Sequence, residues 1–150
     1  MENKQTVLVI NGPNLNLLGT REPGLYGALT LEEINRRVVL ETERLGGRAE
    51  FFQSNHEGAL VDRLQAAKGR VTGVVLNAGA YTHTSAALAD AISATGLRVI
   101  EVHISNVYRR EEFRRRSFLS PVCEGVIAGL GWRAYTLAVQ ALLTGDDGVS

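Results

Sequence analysis

Thr6-Val7-Leu8-Val9-Ile10-Asn11-Gly12-Pro13-Asn14 opens the chain with six residues that are apolar or β-branched almost throughout, then breaks into Asn-Gly-Pro. A run this short, apolar on both alternate positions from Val7 to Ile10, reads as a strand buried on both faces and ended by a turn. The same pattern recurs at Val71–Asn77, Arg98–His103 and Val122–Leu130, and more weakly at Arg48–Gln53. Helical spacing fills the gaps. Thr30 with Glu33 has the form of a capping box, and behind it Leu31, Ile34, Val38 and Leu45 share a face until Gly46-Gly47. Ala59–Lys68 and Thr84–Thr95 are further helices closed by Gly69 and Gly96, and Trp132–Thr144 is the last. Between the fourth and fifth strands, 110–116 is a charged turn or short helix.

Strands alternating with helices five times over predict an α/β fold. The expected form is a flavodoxin-like, doubly wound, five-stranded parallel sheet of order 2-1-3-4-5. The 150 residues suit a single domain spanning 1–150, with about 145–150 as a frayed tail. A domain of this size buries about 68–70% of its unfolded surface, so no disulfide staple is needed. The single cysteine, Cys123, allows none within the chain. It sits at the predicted start of the fifth strand and reads as a small core residue rather than a nucleophile.

Sixteen basic and sixteen acidic side chains cancel, so no global field favours nucleic acid. No apolar stretch is long enough for a membrane span, and the N-terminus lacks the pattern of a signal peptide. The expectation is a cytoplasmic protein. The cancellation hides a local excess. Arg109-Arg110-Glu111-Glu112-Phe113-Arg114-Arg115-Arg116 carries five Arg against two Glu, and Arg110 and Arg114 share a face if the segment is helical. Lysine is scarce, with Lys4 and Lys68 against fourteen Arg.

In a doubly wound sheet the ligand lies beyond the carboxyl ends of the strands, where the order reverses between strands 1 and 3. The residues fit for chemistry fall there. Strand 1 runs into Asn14 and a long Gly-Pro loop with Arg21 and Tyr26; strand 3 ends at Asn77 with His83 beyond; strand 4 ends in Glu101-Val102-His103. Glu101 and His103 are two apart on a strand and point the same way. A carboxylate so placed fixes the imidazole tautomer and favours its protonated form, as a general acid requires. A Glu and His merely finishing a strand at the water boundary remains open on the pattern alone, as does a packed loop Tyr at 26. Gly129-Leu130-Gly131-Trp132-Arg133-Ala134 imitates a dinucleotide fingerprint, but no later strand carries the ribose-binding acid. His83, Glu101 and His103 lack the tight spacing of a zinc motif, so no metal site is expected.

These motifs resemble the type II 3-dehydroquinate dehydratases over nearly the whole chain. The resemblance rests on 11–19 with Arg21-Glu22-Pro23 and Tyr26-Gly27, on Gln53–Gly58, on Leu76–Gly79, on Thr82–Ser85, on Glu101–Asn106, and on Arg110–Arg114. It implies a cofactor-free hydro-lyase that dehydrates 3-dehydroquinate to 3-dehydroshikimate, in aromatic biosynthesis or quinate breakdown. By the resemblance, Tyr26 is the base and Arg21 lowers its pKa, in a loop acting as a lid. Asn14 stabilises the enolate, and His103, oriented by Glu101, is the acid. Ile104 and Ser105 hold the substrate carboxylate, while Asn77, His83 and Arg114 bind ring hydroxyls. Arg110 belongs to a mobile active-site region, and Asp90 reaches a neighbouring subunit's site. The assembly it implies is a homododecamer, a tetramer of trimers. The alternative is a non-catalytic flavodoxin-like module holding FMN or a nucleotide in the same crevice.

Overall fold

The structure is a computed structural model that describes residues 4–20 and 29–145. Its sheet has five parallel strands in the order β2-β1-β3-β4-β5, namely β1 Thr6–Asn11, β2 Arg48–Gln53, β3 Gly73–Asn77, β4 Val99–His103 and β5 Gly125–Ala128. Among the described residues four α-helices accompany it, α1 Leu31–Arg44, α2 Glu57–Ala67, α3 Ala86–Thr95 and α4 Arg133–Leu143. The predicted strand order is the observed one.

The apolar runs are buried on both sides because alternate residues serve two cores. Val7 and Val9 of β1 join Ile34 and Val38 of α1 and Tyr135, Ala138 and Val139 of α4. Leu8 and Ile10 point the other way, to Leu60 and Leu64 of α2 and Leu88 and Ile92 of α3. The capping box of α1 forms as the sequence requires. Thr30 Oγ1 accepts from the Glu33 N–H at 3.2 Å and donates to the Glu33 carboxylate at 3.2 Å. At α3 the cap is Ser85, which accepts from the Leu88 N–H at 2.9 Å.

The charged turn or short helix expected at 110–116 takes the turn form. Between β4 and β5 there is no α-helix; short 3-10 turns at Val107–Arg109, Glu112–Arg115 and Ser120–Val122 make the crossover. Three adjacent arginines and Pro121 leave no apolar stripe for a helix to bury. β5 is also shorter than expected, so Cys123 precedes the strand, half-buried against the second core. The helix-free strap sets the surroundings of the β4 carboxyl end. Glu101 and His103 point to the side of the sheet occupied by Val99, away from Ile100 and Val102, and there the strap rather than a helix covers them.

Candidate active site

A cleft of about 230 Å³ opens at the carboxyl ends of β1, β3 and β4. Asn14, Asn77, His83, His103, Ile104, Ser105, Arg110 and Arg114 all line it. Asp90 does not; it lies exposed on α3, and a role for it needs a second subunit. Arg21 and Tyr26 lie outside the described residues. Neither Lys4 nor Lys68 lines the cleft. Among the described residues no three His, Cys, Asp or Glu side chains converge as a metal-binding group, and no helix is long and apolar enough to cross a membrane.

The floor is built by close approach of two backbones. Gly12 donates its N–H to the Asn77 carbonyl at 2.8 Å, and a Cβ on Gly12 would stand 2.4 Å from the Ala78 carbonyl oxygen. Only glycine fits there. The chain then turns through Asn14 at φ 69°, a left-handed conformation that Asn tolerates better than most residues. Asn55 holds that turn by accepting from the Asn14 N–H at 3.0 Å, and Gln53 donates to the Gly12 carbonyl at 3.1 Å.

Asn77 is fixed from below. Its Nδ2 donates to the Tyr135 hydroxyl at 2.9 Å, and that hydroxyl donates to Asn11 Oδ1 at 2.6 Å. Its Oδ1 accepts from the Gly79 N–H at 3.2 Å. Burial pushes the Tyr135 phenol well above its usual range, against the hydrogen bond from Asn77, so it stays neutral and serves as a strut. Tyr135 was not legible as a site residue, since one aromatic on the inner face of a helix reads as core. Tyr135→Phe is expected to cost about 1–3 kcal/mol of stability, because it leaves Asn11 Oδ1 and Asn77 Nδ2 buried without this partner. Urea unfolding of the variant against the parent checks it.

The carboxyl end of β4 carries the acid–base pair. His103 Nε2 lies 2.5 Å from Glu101 Oε2, with the two residues 7% and 2% exposed. Burial alone would raise the Glu101 carboxyl, but hydrogen bonds from His103, Ser120 and Ser117 outweigh it and hold the group below the ordinary glutamate range. The carboxylate therefore accepts, Nε2 donates, and Nδ1 is the nitrogen left for a ligand. His83 is set by the same logic. Its Nδ1 stands 2.7 Å from the Arg116 carbonyl, which can only accept, so Nε2 remains available.

The GLG stretch has a structural task instead of a nucleotide one. Gly129, Leu130 and Gly131 are all left-handed, at φ 87°, 68° and 61°. The Gly129 and Gly131 N–H groups donate to the carbonyls of His103 and Ile104 at 3.0 and 3.1 Å. The turn thereby braces the backbone at Ile104 and Ser105. On the strap, Glu111 accepts from Arg114 Nε at 2.8 Å and stands 4.0 Å from Arg110 Nε. The Arg114 hydrogen bond chiefly holds the Glu111 carboxyl below its ordinary range. One carboxylate thus orients two guanidinium groups of the cleft and leaves a net positive rim.

Cys123 is no nucleophile. Burial, helped by the nearby Glu101 charge, pushes its thiol up to about 12, so the thiolate is scarce at neutral pH.

Comparison with known proteins agrees with this geometry. The family model described as Dehydroquinase class II matches residues 5–143. A 3-dehydroquinate dehydratase of Azorhizobium caulinodans is 59% identical over 139 residues, covering 93% of this chain and 94% of that protein. Catabolic 3-dehydroquinase 1 of Aspergillus terreus is 54% identical over 136 residues, 91% of this chain and 90% of its own. The crystal structure of a type II dehydroquinase from Butyrivibrio crossotus superposes with a TM-score of 0.91 at 44% identity, covering 94% of this chain and 99% of that one. With the sheet order, the cleft and the paired carboxylate and imidazole on β4 all in place, this chain belongs to the class II dehydroquinase family.

Proposed function

We propose that this protein is a hydro-lyase that removes water from 3-dehydroquinate to give 3-dehydroshikimate. The observation that carries the reading is the buried Glu101–His103 pair at the edge of a cleft with an arginine rim, in a chain of this family. Loss of a hydroxyl β to a ketone needs a base for the α-proton, a donor for the enolate oxygen and an acid for the leaving hydroxyl. His103 suits the last task, because its Nε2 is committed to Glu101 and Nδ1 can deliver the proton. Asn14, beside the cleft on a rigid left-handed turn, suits the enolate oxygen, directly or through a water. Tyr26, as tyrosinate aided by Arg21, is the base in this reading.

The substrate is an anion, and the net positive rim made by Arg110, Arg114 and Glu111 favours its entry. The backbone at Ile104 and Ser105, braced by Gly129 and Gly131, receives the carboxylate. Asn77, His83 and Arg114 take the ring hydroxyls. Assembly as a dodecamer, with Asp90 completing a neighbouring site, and a cytoplasmic location are part of the same reading.

The direct test follows the ultraviolet absorbance of the conjugated enone in the product. Purified, folded oligomer that produces no such signal from 3-dehydroquinate overturns the proposal. An enolate route also needs no imine, and neither lysine lies at the cleft. Treatment with borohydride in the presence of substrate is therefore expected to leave activity intact; irreversible inactivation would place an imine in the mechanism.

A further inference from the structure

The Glu101–His103 pair has a second layer of partners that none of the roles above includes. Ser117 Oγ and Ser120 Oγ both donate to Glu101 Oε1, at 2.9 and 2.7 Å. Ser117 Oγ in addition accepts from the N–H groups of Leu119 and Ser120, each at 3.0 Å. A hydroxyl has one hydrogen and two lone pairs. Both lone pairs of Ser117 are taken by backbone N–H groups, so its one hydrogen has to go to Glu101. Oε1 is therefore obliged to accept. A proton on this carboxyl would have to sit on Oε2, on the line to His103 Nε2.

We propose that Ser117 and Ser120 are positioning residues of the acid: they hold Glu101 as an ionised, fixed acceptor, so that the His103 imidazolium commits its Nε2–H to Glu101 and presents its Nδ1–H to the substrate. Neither serine lines the cleft, so they act through Glu101 and not by touching substrate. The helix-free strap now has a reason beyond packing. A helix here would spend its backbone N–H groups internally, whereas the turn at Ser117–Ser120 spends two of them on orienting one hydroxyl.

Other titratable and charged groups flank Glu101. On the strap side Tyr108, Arg114 and Arg115 line the same small cavity as Glu101 and His103. Cys123, ahead of β5, stays a thiol at neutral pH because burial pushes it up to about 12. From the β3 side the cavity receives Thr82, which does not titrate.

The kinetic part of the test rests on the dehydratase reading; the spectroscopic part does not. Ser120→Ala is the cleaner variant, since it deletes a donor to Glu101 and leaves the two N–H bonds to Ser117 in place. In glutamate-labelled protein the 13C signal of the Glu101 carboxyl is expected to titrate about one pH unit higher than in the parent. The kcat is expected to fall, with KM within about twofold because the cleft is untouched. Ser117→Ala should shift both readouts further. If that variant fails to fold, Ser120→Ala decides alone. A Ser120→Ala protein whose Glu101 titration is unmoved overturns the proposal, as does an unchanged kcat. Should the parent itself not turn over 3-dehydroquinate, the dehydratase reading falls, and the Glu101 titration still decides the role of the serines.

Discussion

Replacing His103 by alanine is expected to lower kcat by roughly 10²–10⁴-fold, the range that a positioned general acid supplies. Hydroxide is a poor leaving group, and among the described residues lining the cleft His103 is the one whose imidazole is paired with a buried carboxylate. The KM should change far less, because the carboxylate and hydroxyl contacts assigned to Ile104, Ser105, Asn77 and Arg114 remain. Enone production by the variant checks this directly, and turnover within tenfold of the parent would remove His103 from the role.

The same substitution carries a signature in stability. The Glu101 carboxyl sits below its ordinary range in the folded protein. A depressed carboxyl contributes stability that is present above its unfolded pKa and is lost as pH falls through the folded value. Deleting His103 removes one of the bonds that depress it, so the variant should lose stability at neutral pH, by about 1–3 kcal/mol. The difference from the parent should shrink once acid has protonated the carboxyl in both. Denaturant unfolding at neutral and acidic pH separates this from a simple packing defect, which would cost the same at both.

Tyr26→Phe is the second large effect, again a loss of about 10²–10⁴-fold in kcat, since it deletes the oxygen that would take the α-proton and keeps the ring. A phenol titrates near 10 in water. A tyrosinate base at neutral pH therefore demands a cation beside it, and Arg21 is the candidate five residues earlier. Arg21→Ala should accordingly move the acid limb of kcat to higher pH and not merely weaken binding. Substrate should still bind Tyr26→Phe, measured by calorimetry. Near-normal turnover would mean that another group is the base.

Much of this protein is readable before folding is considered. Continuous apolar runs such as Thr6–Asn11 have no polar face to give to water, so both sides must be covered, and helices of matching length between them leave a parallel sheet as the solution. Strand ends then become the place where chemistry gathers, which singles out Asn77, His83, Glu101 and His103. The pairing of Glu101 with His103 follows from the two-residue period of a strand alone.

Other features depend on contacts between residues that no local rule connects. Sequence spacing allows a helix or a charged turn after β4; the chain makes 3-10 turns because Arg114-Arg115-Arg116 and Pro121 have no apolar stripe to bury. Ser117 and Ser120 stand 16 and 19 residues from Glu101, and Tyr135 stands 124 from Asn11. Serines in a loop and a tyrosine in a helix look the same in sequence whether they face water, core or a carboxylate. By itself the sequence determined the sheet, its order and the strand ends that carry the reactive side chains, because periodicity and burial are properties of each segment. Only the tertiary structure decided which way protons point in the Glu101 network and what braces Asn77 and Ile104. Those depend on single hydrogen bonds across long separations, where one donor and one acceptor must meet at about 3 Å.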